Sequence, residues 1–201
     1  REGFNPAGKD MHVLFSHYHF DHAGGIGSFL QIFNPEARLH LYGPRLNDRI
    51  QGKIFGVDTA IETLIGGIFF PGVIQLIPEK DRTHFRITTI DLQGKKVYGG
   101  VVEFHEIKDN EELEIGGIKI KAAYVAHSSS GAANYRITEN GKSVVYATDV
   151  EITASPETRE KVLNLSHQAE KCLSLLQGSG LLQILPGLMC SSRLFLRHLL
   201  S

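Results

Sequence analysis

The sequence predicts an α/β fold whose second half is rich in antiparallel strands, and the first part of the chain supplies the α/β half of that prediction. The apolar run MHVLFS at 11–16 and the alternating run RLHLY at 38–42 both suit strands. Between them, the segment 24–33 opens with glycines and predicts a turn followed by a helix, stopped at Asn34-Pro35. Strand, helix and strand in this order are typical of a βαβ unit in a layered protein.

The second half alternates with the two-residue period of strands. Two hairpin turns interrupt it, at Gly116-Gly117 and at Asn140-Gly141. The segment 45–78, which separates the first part of the chain from this second half, is ambiguous, and its glycines favour a loop-rich insertion. The predicted strands cover 85–92, 101–107, 112–115, 118–126, 133–138 and 143–148.

Composition excludes several classes of protein. The chain has 201 residues, 42% of them hydrophobic and 21% charged, which is ordinary for a globular protein and excludes fibrous and disordered classes. Its formal net charge of -1 argues against a strongly basic surface for nucleic acid. Two cysteines, Cys172 and Cys190, cannot build a disulfide framework, so the cytoplasm is the default location.

The two ends of the chain look atypical. The chain starts at Arg1 without a signal-like apolar stretch, and we interpret this start as a truncation. Residues 161–201 are rich in leucine, serine and cysteine, and Glu170 is their only acidic residue. We therefore expect a partial domain at 1–160 and a tail at 161–201 that is either helical or not the native continuation. Residues 172–192 are uncharged but interrupted by glycines and Pro186, so no stable membrane insertion is expected.

One short loop concentrates the residues that carry chemistry. His17, His19, Asp21 and His22 form the pattern HxHxDH after the first predicted strand. In an extended loop, His17 and His19 point to one side and can share an ion, while Asp21 and His22 turn toward a second ion. Imidazole nitrogen and carboxylate oxygen together suit Zn²⁺, with Mn²⁺ or Fe²⁺ as alternatives.

The loop SHYHFDH after an apolar strand resembles the signature motif of the metallo-β-lactamase superfamily. Further ligands in that family are a histidine after a mid-chain strand and an aspartate at the end of a later strand. His127 in YVAHSSSG and Asp149 in VVYATDV stand at matching places. Taken alone, they would be an ordinary loop histidine and a cap after a strand. The resemblance covers about residues 9–152.

The resemblance implies a role for each residue. It assigns His17, His19 and His127 to a first metal and Asp21 and His22 to a second, with Asp149 bridging the two. Asp21 would also orient the nucleophile and act as the catalytic residue. The fold implied is the αββα sandwich of the superfamily, without its N-terminal strands and its native C-terminal part. The family's further histidine for the second metal has no match here, since neither His167 nor His198 stands in its context.

The resemblance also implies an activity. RLHLYGP and ANYRITENGKSVVYATDVE are more similar to the phosphodiesterase and ribonuclease Z-like branch than to β-lactamases. The predicted function is therefore hydrolysis of a phosphodiester, a cyclic nucleotide or RNA-type substrate, by a metal-bridging hydroxide. A thioester or lactone hydrolase and a truncated, non-catalytic metal-binding product are the alternatives, and a homodimer stays open. The other histidines, 12, 40, 84 and 105, lie in or beside predicted strands and are interpreted as structural.

Overall fold

The computed structural model describes residues 10–47, 54–69, 75–78, 84–167, 169 and 171–175. These residues form two compact units. The first contains the described residues up to Leu46 and those from Ile54 to Ile107, and the second contains Asn47 and the described residues from Lys108 onward.

The first unit is a five-stranded mixed sheet with short helical segments. Its regular elements are β1 (Asp10–Leu14), α1 (Phe20–Ala23), β2 (Arg38–Pro44), β4 (Ile54–Phe55), α2 (Val57–Glu62), β5 (Gln75–Pro78), β6 (His84–Ile90) and β7 (Lys96–Ile107), and the short strand β3 (Leu46–Asn47) has one residue in each unit. Strand order across the sheet is β1-β2-β7-β6-β5; β1, β2 and β7 run parallel, and β6 and β5 are antiparallel to their neighbours. Turns of 3-10 helix cover Gly24–Ser28 and Leu30–Phe33, and a π-helical segment covers Thr63–Phe69.

The helical segments cover one face of this sheet and enclose a hydrophobic core. Leu39, Leu41 and Val102 point into it from the central strands, and each is at most 1% exposed. Because strand side chains alternate between faces, their neighbours His40 and Glu103 lie on the opposite face. One face of the sheet is therefore apolar and the other carries polar side chains.

The parallel pairing of β1 with β2 confirms the predicted βαβ unit, but the connection differs from the prediction. The predicted glycine-rich turn is a 3-10 segment over Gly24–Ser28, and the helix predicted after it is limited to a second 3-10 segment over Leu30–Phe33. Glycine has low helix propensity, and three glycines stand in the sequence GGIGS. The loop-rich insertion predicted for 45–78 is also wrong for its described part, which contains α2 and the π-helical segment. The buried residues there follow helical spacing: Val57, Ala60, Ile61, Leu64 and Ile65.

The second unit is a five-stranded sheet with one helix. Strand order is β12-β11-β10-β9-β8, antiparallel except for the β11/β12 pair. Both predicted hairpins are present, and Asn140 and Gly141 adopt the positive φ angles, 50° and 78°, that a tight two-residue turn requires. The elements are β8 (Glu112–Ile115), β9 (Ile118–Val125), β10 (Ala132–Glu139), β11 (Lys142–Thr148), α3 (Pro156–Ser166) and β12 (Lys171–Leu175).

Helix α3 begins and ends at identifiable side chains. Ser155 caps its start by accepting a hydrogen bond from the Thr158 amide at 3.1 Å, and Pro156 occupies the first turn. At its end, Arg136 donates to the main-chain carbonyls of Leu165 and His167. Val162 and Leu165 are buried against β9 and β11 in a second apolar cluster. The helix is thereby fixed to the sheet along its length.

The described residues at the start of the predicted tail form regular secondary structure. Helix α3 runs across residue 160, and the strand β12 then pairs in parallel with β11. Within the predicted tail, the described residues 171–175 form a strand, and pairing with β11 satisfies the backbone groups of this segment. Residues 176–201 lie outside the described residues, so a non-native origin stays a prediction. No helix in the described ranges is both long and apolar enough to cross a bilayer.

Replacing Ser155 with alanine should lower the free energy of unfolding by about 1 kcal/mol, because the N-cap acceptor for the Thr158 amide is lost. Urea denaturation followed by circular dichroism measures this change. The Ser155→Asp variant keeps an acceptor at the cap and should retain parental stability. An alanine variant as stable as the aspartate variant would contradict the capping role.

Candidate metal centre

The loop that follows β1 is anchored by main-chain and side-chain bonds on either side of its first histidine. The Phe15 amide donates to the Tyr42 carbonyl at 2.8 Å, and the Tyr18 hydroxyl donates to the Pro44 carbonyl at 2.6 Å. A Cβ at Gly43 would collide with the Tyr18 hydroxyl, so glycine is needed there. These bonds fix residues 15–18 against the end of β2.

His17 and His19 lie close together, with their ring nitrogens facing each other. His17 Nε2 is 3.1 Å from His19 Nδ1, and the two rings are nearly perpendicular at 86°. Ser16 Oγ lies 3.1 Å from His17 Nδ1, which orients the ring and directs Nε2 away from the strand. His17 is buried at 1% exposure, whereas His19 is exposed. The predicted sharing of one side by these two histidines is thus found within the first unit.

Asp21 and His22 stand in the short helix α1, where the chain turns around the His19 carbonyl. The amides of His22 and Ala23 both donate to that carbonyl, at 3.0 and 2.9 Å. The turn places the His22 ring 4.3 Å from the His17 ring, measured between centroids. His22 Nε2 lies 3.4 Å from Asp21 Oδ2, and the Asp21 side chain is 77% exposed. Asp21 is therefore the most accessible oxygen donor of the loop.

The second unit brings His127 and Asp149 together at one edge of its sheet. Strands β9 and β11 run in the same direction because both pair antiparallel with β10. His127 follows the end of β9 and Asp149 follows the end of β11, so both residues leave the sheet at the same edge. His127 Nε2 lies 3.7 Å from Asp149 Oδ2, and both side chains are buried.

Backbone geometry holds both residues in place. Gly131, with φ of 84°, donates its amide to the His127 carbonyl at 2.7 Å and closes the serine-rich turn. Asp149 has a φ of 51°, a left-handed conformation that aspartate and asparagine tolerate better than most residues. A substitution at this position therefore affects the backbone as well as the donor atom.

Glu151 belongs to the same group and was not singled out from the sequence. Its carboxylate accepts the Ser128 amide at 2.6 Å and lies 3.9 Å from His127 Nδ1. A carboxylate beside the second ring nitrogen is the usual means of orienting a metal-binding histidine. The sequence signal was its place two residues after Asp149, at the end of the string VVYATDVE.

These donor sets fit divalent metal ions. Two donors on one tetrahedral zinc ion, each about 2.0–2.1 Å from it, lie roughly 3.3–3.4 Å apart. The His17–His19 separation of 3.1 Å is close to this value, and the His127–Asp149 separation of 3.7 Å is slightly longer. The groups are imidazole nitrogens and carboxylate oxygens, the ligands of zinc, manganese and iron in proteins.

Comparison with solved structures returned several proteins with metallo-β-lactamase names. A HARLDQ-motif metallo-beta-lactamase from Cronobacter sakazakii is 18% identical, with 86% of this chain and 58% of that chain covered and a TM-score of 0.45. The metallo-beta-lactamase fold protein YhfI from Bacillus subtilis is also 18% identical, covering 83% and 50%, with a TM-score of 0.45. MEM-A1, a subclass B3 metallo-beta-lactamase from a soil metagenome library, is 19% identical, covering 86% and 60%, with a TM-score of 0.43.

The chain thus spans between half and three fifths of the length of these three structures. A search of curated proteins gave no match. The family model described as the metallo-beta-lactamase superfamily matches residues 11–193, a range that includes the HxHxDH loop, His127 and Asp149. Since that match extends over most of the sequence, the chain belongs to the metallo-beta-lactamase superfamily and has its α/β fold.

Proposed function

We propose that this chain is a metal-dependent hydrolase acting on a phosphodiester. The observation that carries the proposal is the pair of facing imidazoles in the HxHxDH loop, with His17 Nε2 and His19 Nδ1 3.1 Å apart, in a member of a superfamily of metal-dependent hydrolases. Two imidazole nitrogens at this separation can bind one cation together, which supports the proposal.

The proposed ligands are the six residues that the family resemblance assigns. In this proposal three imidazoles would hold a first ion, a carboxylate and an imidazole would hold a second, and one further carboxylate would be shared by both. The residues, in that order, are His17, His19 and His127, then Asp21 and His22, then Asp149. Zinc is the proposed metal, and manganese or iron would accept the same donors.

Bound divalent ions would supply an activated water and neutralise charge on the substrate oxygens. The side chains of the chain itself have separate tasks. Asp21, with its exposed carboxylate, is the proposed acceptor of a proton from the attacking water. Ser16 and Glu151 are proposed as positioning residues, because Ser16 Oγ lies 3.1 Å from His17 Nδ1 and the Glu151 carboxylate lies 3.9 Å from His127 Nδ1, which would leave the Nε2 atoms for the metal.

The substrate class rests on sequence similarity outside the ligands. The strings RLHLYGP and ANYRITENGKSVVYATDVE resemble the phosphodiesterase branch, which favours a cyclic nucleotide or an RNA-type phosphodiester. A thioester or lactone hydrolase is the second candidate, because the same activated water attacks a carbonyl carbon. The third candidate is a metal-binding product without turnover.

The first test of the ligand assignment is metal content. Replacing His17 and His19 together with alanine should remove about one equivalent of zinc per chain, because two of the donors to the first ion are lost. Elemental analysis of zinc-loaded, dialysed protein measures this loss. The His167→Ala variant, which removes an exposed histidine after α3, is the matched control and should keep parental zinc. Equal zinc in the double variant and the control would refute the assignment.

The second test is catalytic and uses Asp149→Asn, since asparagine accepts the left-handed φ that an alanine would strain. Loss of the bridging charge should lower kcat/KM for bis-p-nitrophenyl phosphate by about 100-fold or more. The matched control is Asp58→Asn, which changes an exposed carboxylate at the start of α2 and should leave the rate unchanged.

The same assay separates the three candidates. A thioester, a lactone and nitrocefin are assayed beside the phosphodiester. Faster turnover of the phosphodiester than of the other substrates supports the proposal. Faster turnover of a thioester or lactone supports the second candidate instead. Zinc binding with no turnover of any substrate would favour the non-catalytic product.

A further inference from the structure

A second group of histidines lies on the sheet of the first unit, outside the HxHxDH loop. The strand register places four residues directly opposite one another across neighbouring strands β1, β2, β7 and β6: His12, His40, Glu103 and His84. His105 follows two positions after Glu103 on the same face of β7, opposite Tyr42 of β2. Four histidines that are distant from one another in sequence therefore share one face of the sheet with Glu103, and three of them, His40, His84 and His105, lie beside its carboxylate.

Three of these side chains direct donor atoms at a common point. His40 Nδ1 lies 3.1 Å from His105 Nε2 and 3.3 Å from Glu103 Oε2. His105 Nε2 lies 3.6 Å from the other oxygen of the same carboxylate, Glu103 Oε1. Donors on one tetrahedral zinc ion are roughly 3.3–3.4 Å apart, so these separations are close to those of a zinc site that the carboxylate binds through one or both oxygens.

We propose that His40, Glu103 and His105 form an accessory binding site for a divalent cation, with zinc as the preferred ion. Two imidazoles and a carboxylate are a complete set of three protein ligands, with a fourth position left for water. All three side chains are partly buried, at 20% exposure for His40, 25% for Glu103 and 29% for His105, so each donor is shielded yet reachable from solvent.

Neighbouring residues hold the two rings and the carboxylate of this site. His84 Nε2 lies 3.0 Å from Glu103 Oε2 and fixes that carboxylate. His12 stacks on His40 with centroids 4.7 Å apart, and Tyr42 stacks on His105 at 4.4 Å. Asp10 Oδ2 is 3.9 Å from His40 Nε2, the ring nitrogen left over if Nδ1 binds the ion. Carboxylates in this position orient metal-binding histidines in many proteins.

Burial and neighbouring groups shift the pKa values of two histidines in this group. Burial lowers the pKa of His105, and the neighbouring histidines lower it further, while the Glu103 carboxylate acts in the opposite direction. Burial and the nearby His40 likewise lower the pKa of His12. Both shifts favour the neutral form of these two rings.

The rival explanation is a hydrogen-bonded network in which one carboxylate serves several imidazoles without a metal. Zinc content distinguishes the two. In Glu103→Gln, the amide keeps the shape of the side chain and can still bond to His84, but it is a poor zinc ligand. Zinc-loaded and dialysed Glu103→Gln should hold about one equivalent of zinc less per chain than the parent.

The design includes a second variant and a control. His105→Gln should lose the same equivalent, and it tests the site independently if Glu103→Gln does not fold, as judged by circular dichroism. The His167→Ala variant should keep parental zinc. Competition with a chromophoric zinc chelator adds an affinity readout, and we expect binding at this site to weaken at least about 10-fold in either variant.

The outcomes also separate this proposal from the hydrolase assignment. Zinc lost on replacing Glu103 or His105, but kept on replacing His17 and His19, supports the accessory site and refutes the ligand set of the loop. Folded Glu103→Gln and His105→Gln proteins that both keep parental zinc content and affinity overturn the accessory site. A His17→Ala/His19→Ala protein that binds no zinc overturns it as well.

Discussion

The main-chain bond from the Phe15 amide to the Tyr42 carbonyl determines where the first strand leaves the sheet. Up to Leu14 the strand β1 is paired along β2, residue by residue. Beyond Phe15 the chain is free to turn, and the next residues are Ser16 and His17. Because the Tyr18 hydroxyl is bonded to the Pro44 carbonyl, the turn is fixed on both sides of His17. The geometry of the whole HxHxDH loop depends on this exit from the sheet.

The second unit brings its possible metal donors, His127 and Asp149, together in a different way. They are not neighbours in sequence, but they follow two strands that run in the same direction and end at the same edge of the sheet. Burial of both His127 and Asp149 makes the arrangement costly unless each polar atom has a partner. Beside these residues, the Glu151 carboxylate is held by the Ser128 amide and lies 3.9 Å from His127 Nδ1, and Asp149 adopts a left-handed backbone conformation. Buried polar groups and strained backbone of this kind are typical of functional sites.

Whether a feature could be predicted from the sequence depended on how far apart in the sequence the residues that determine it lie. The hairpins at Gly116-Gly117 and Asn140-Gly141 were predicted from local turn chemistry, and both are present. The HxHxDH loop was also a local signal, and in the structure its first two histidines lie close together. The helix predicted to follow the glycine-rich turn at 24–33 is only a short 3-10 segment, and α2 was missed although its buried residues follow helical spacing. Glu151 was overlooked because its neighbour in space, His127, is remote in sequence.

The row of His12, His40, Glu103 and His84 shows the limit of sequence-based prediction most directly. Each histidine alone is an ordinary strand residue, and all were interpreted as structural. Only the pairing register of four strands places them opposite one another, and a slip of one residue in any strand would move its member to the apolar face. The same register that buries Leu39, Leu41 and Val102 on one face thus fixes the donors on the other. The hydrophobic core determines the strand register, and this register brings His40, Glu103 and His105 together. The geometry of the accessory site therefore follows from hydrophobic packing rather than from a local motif.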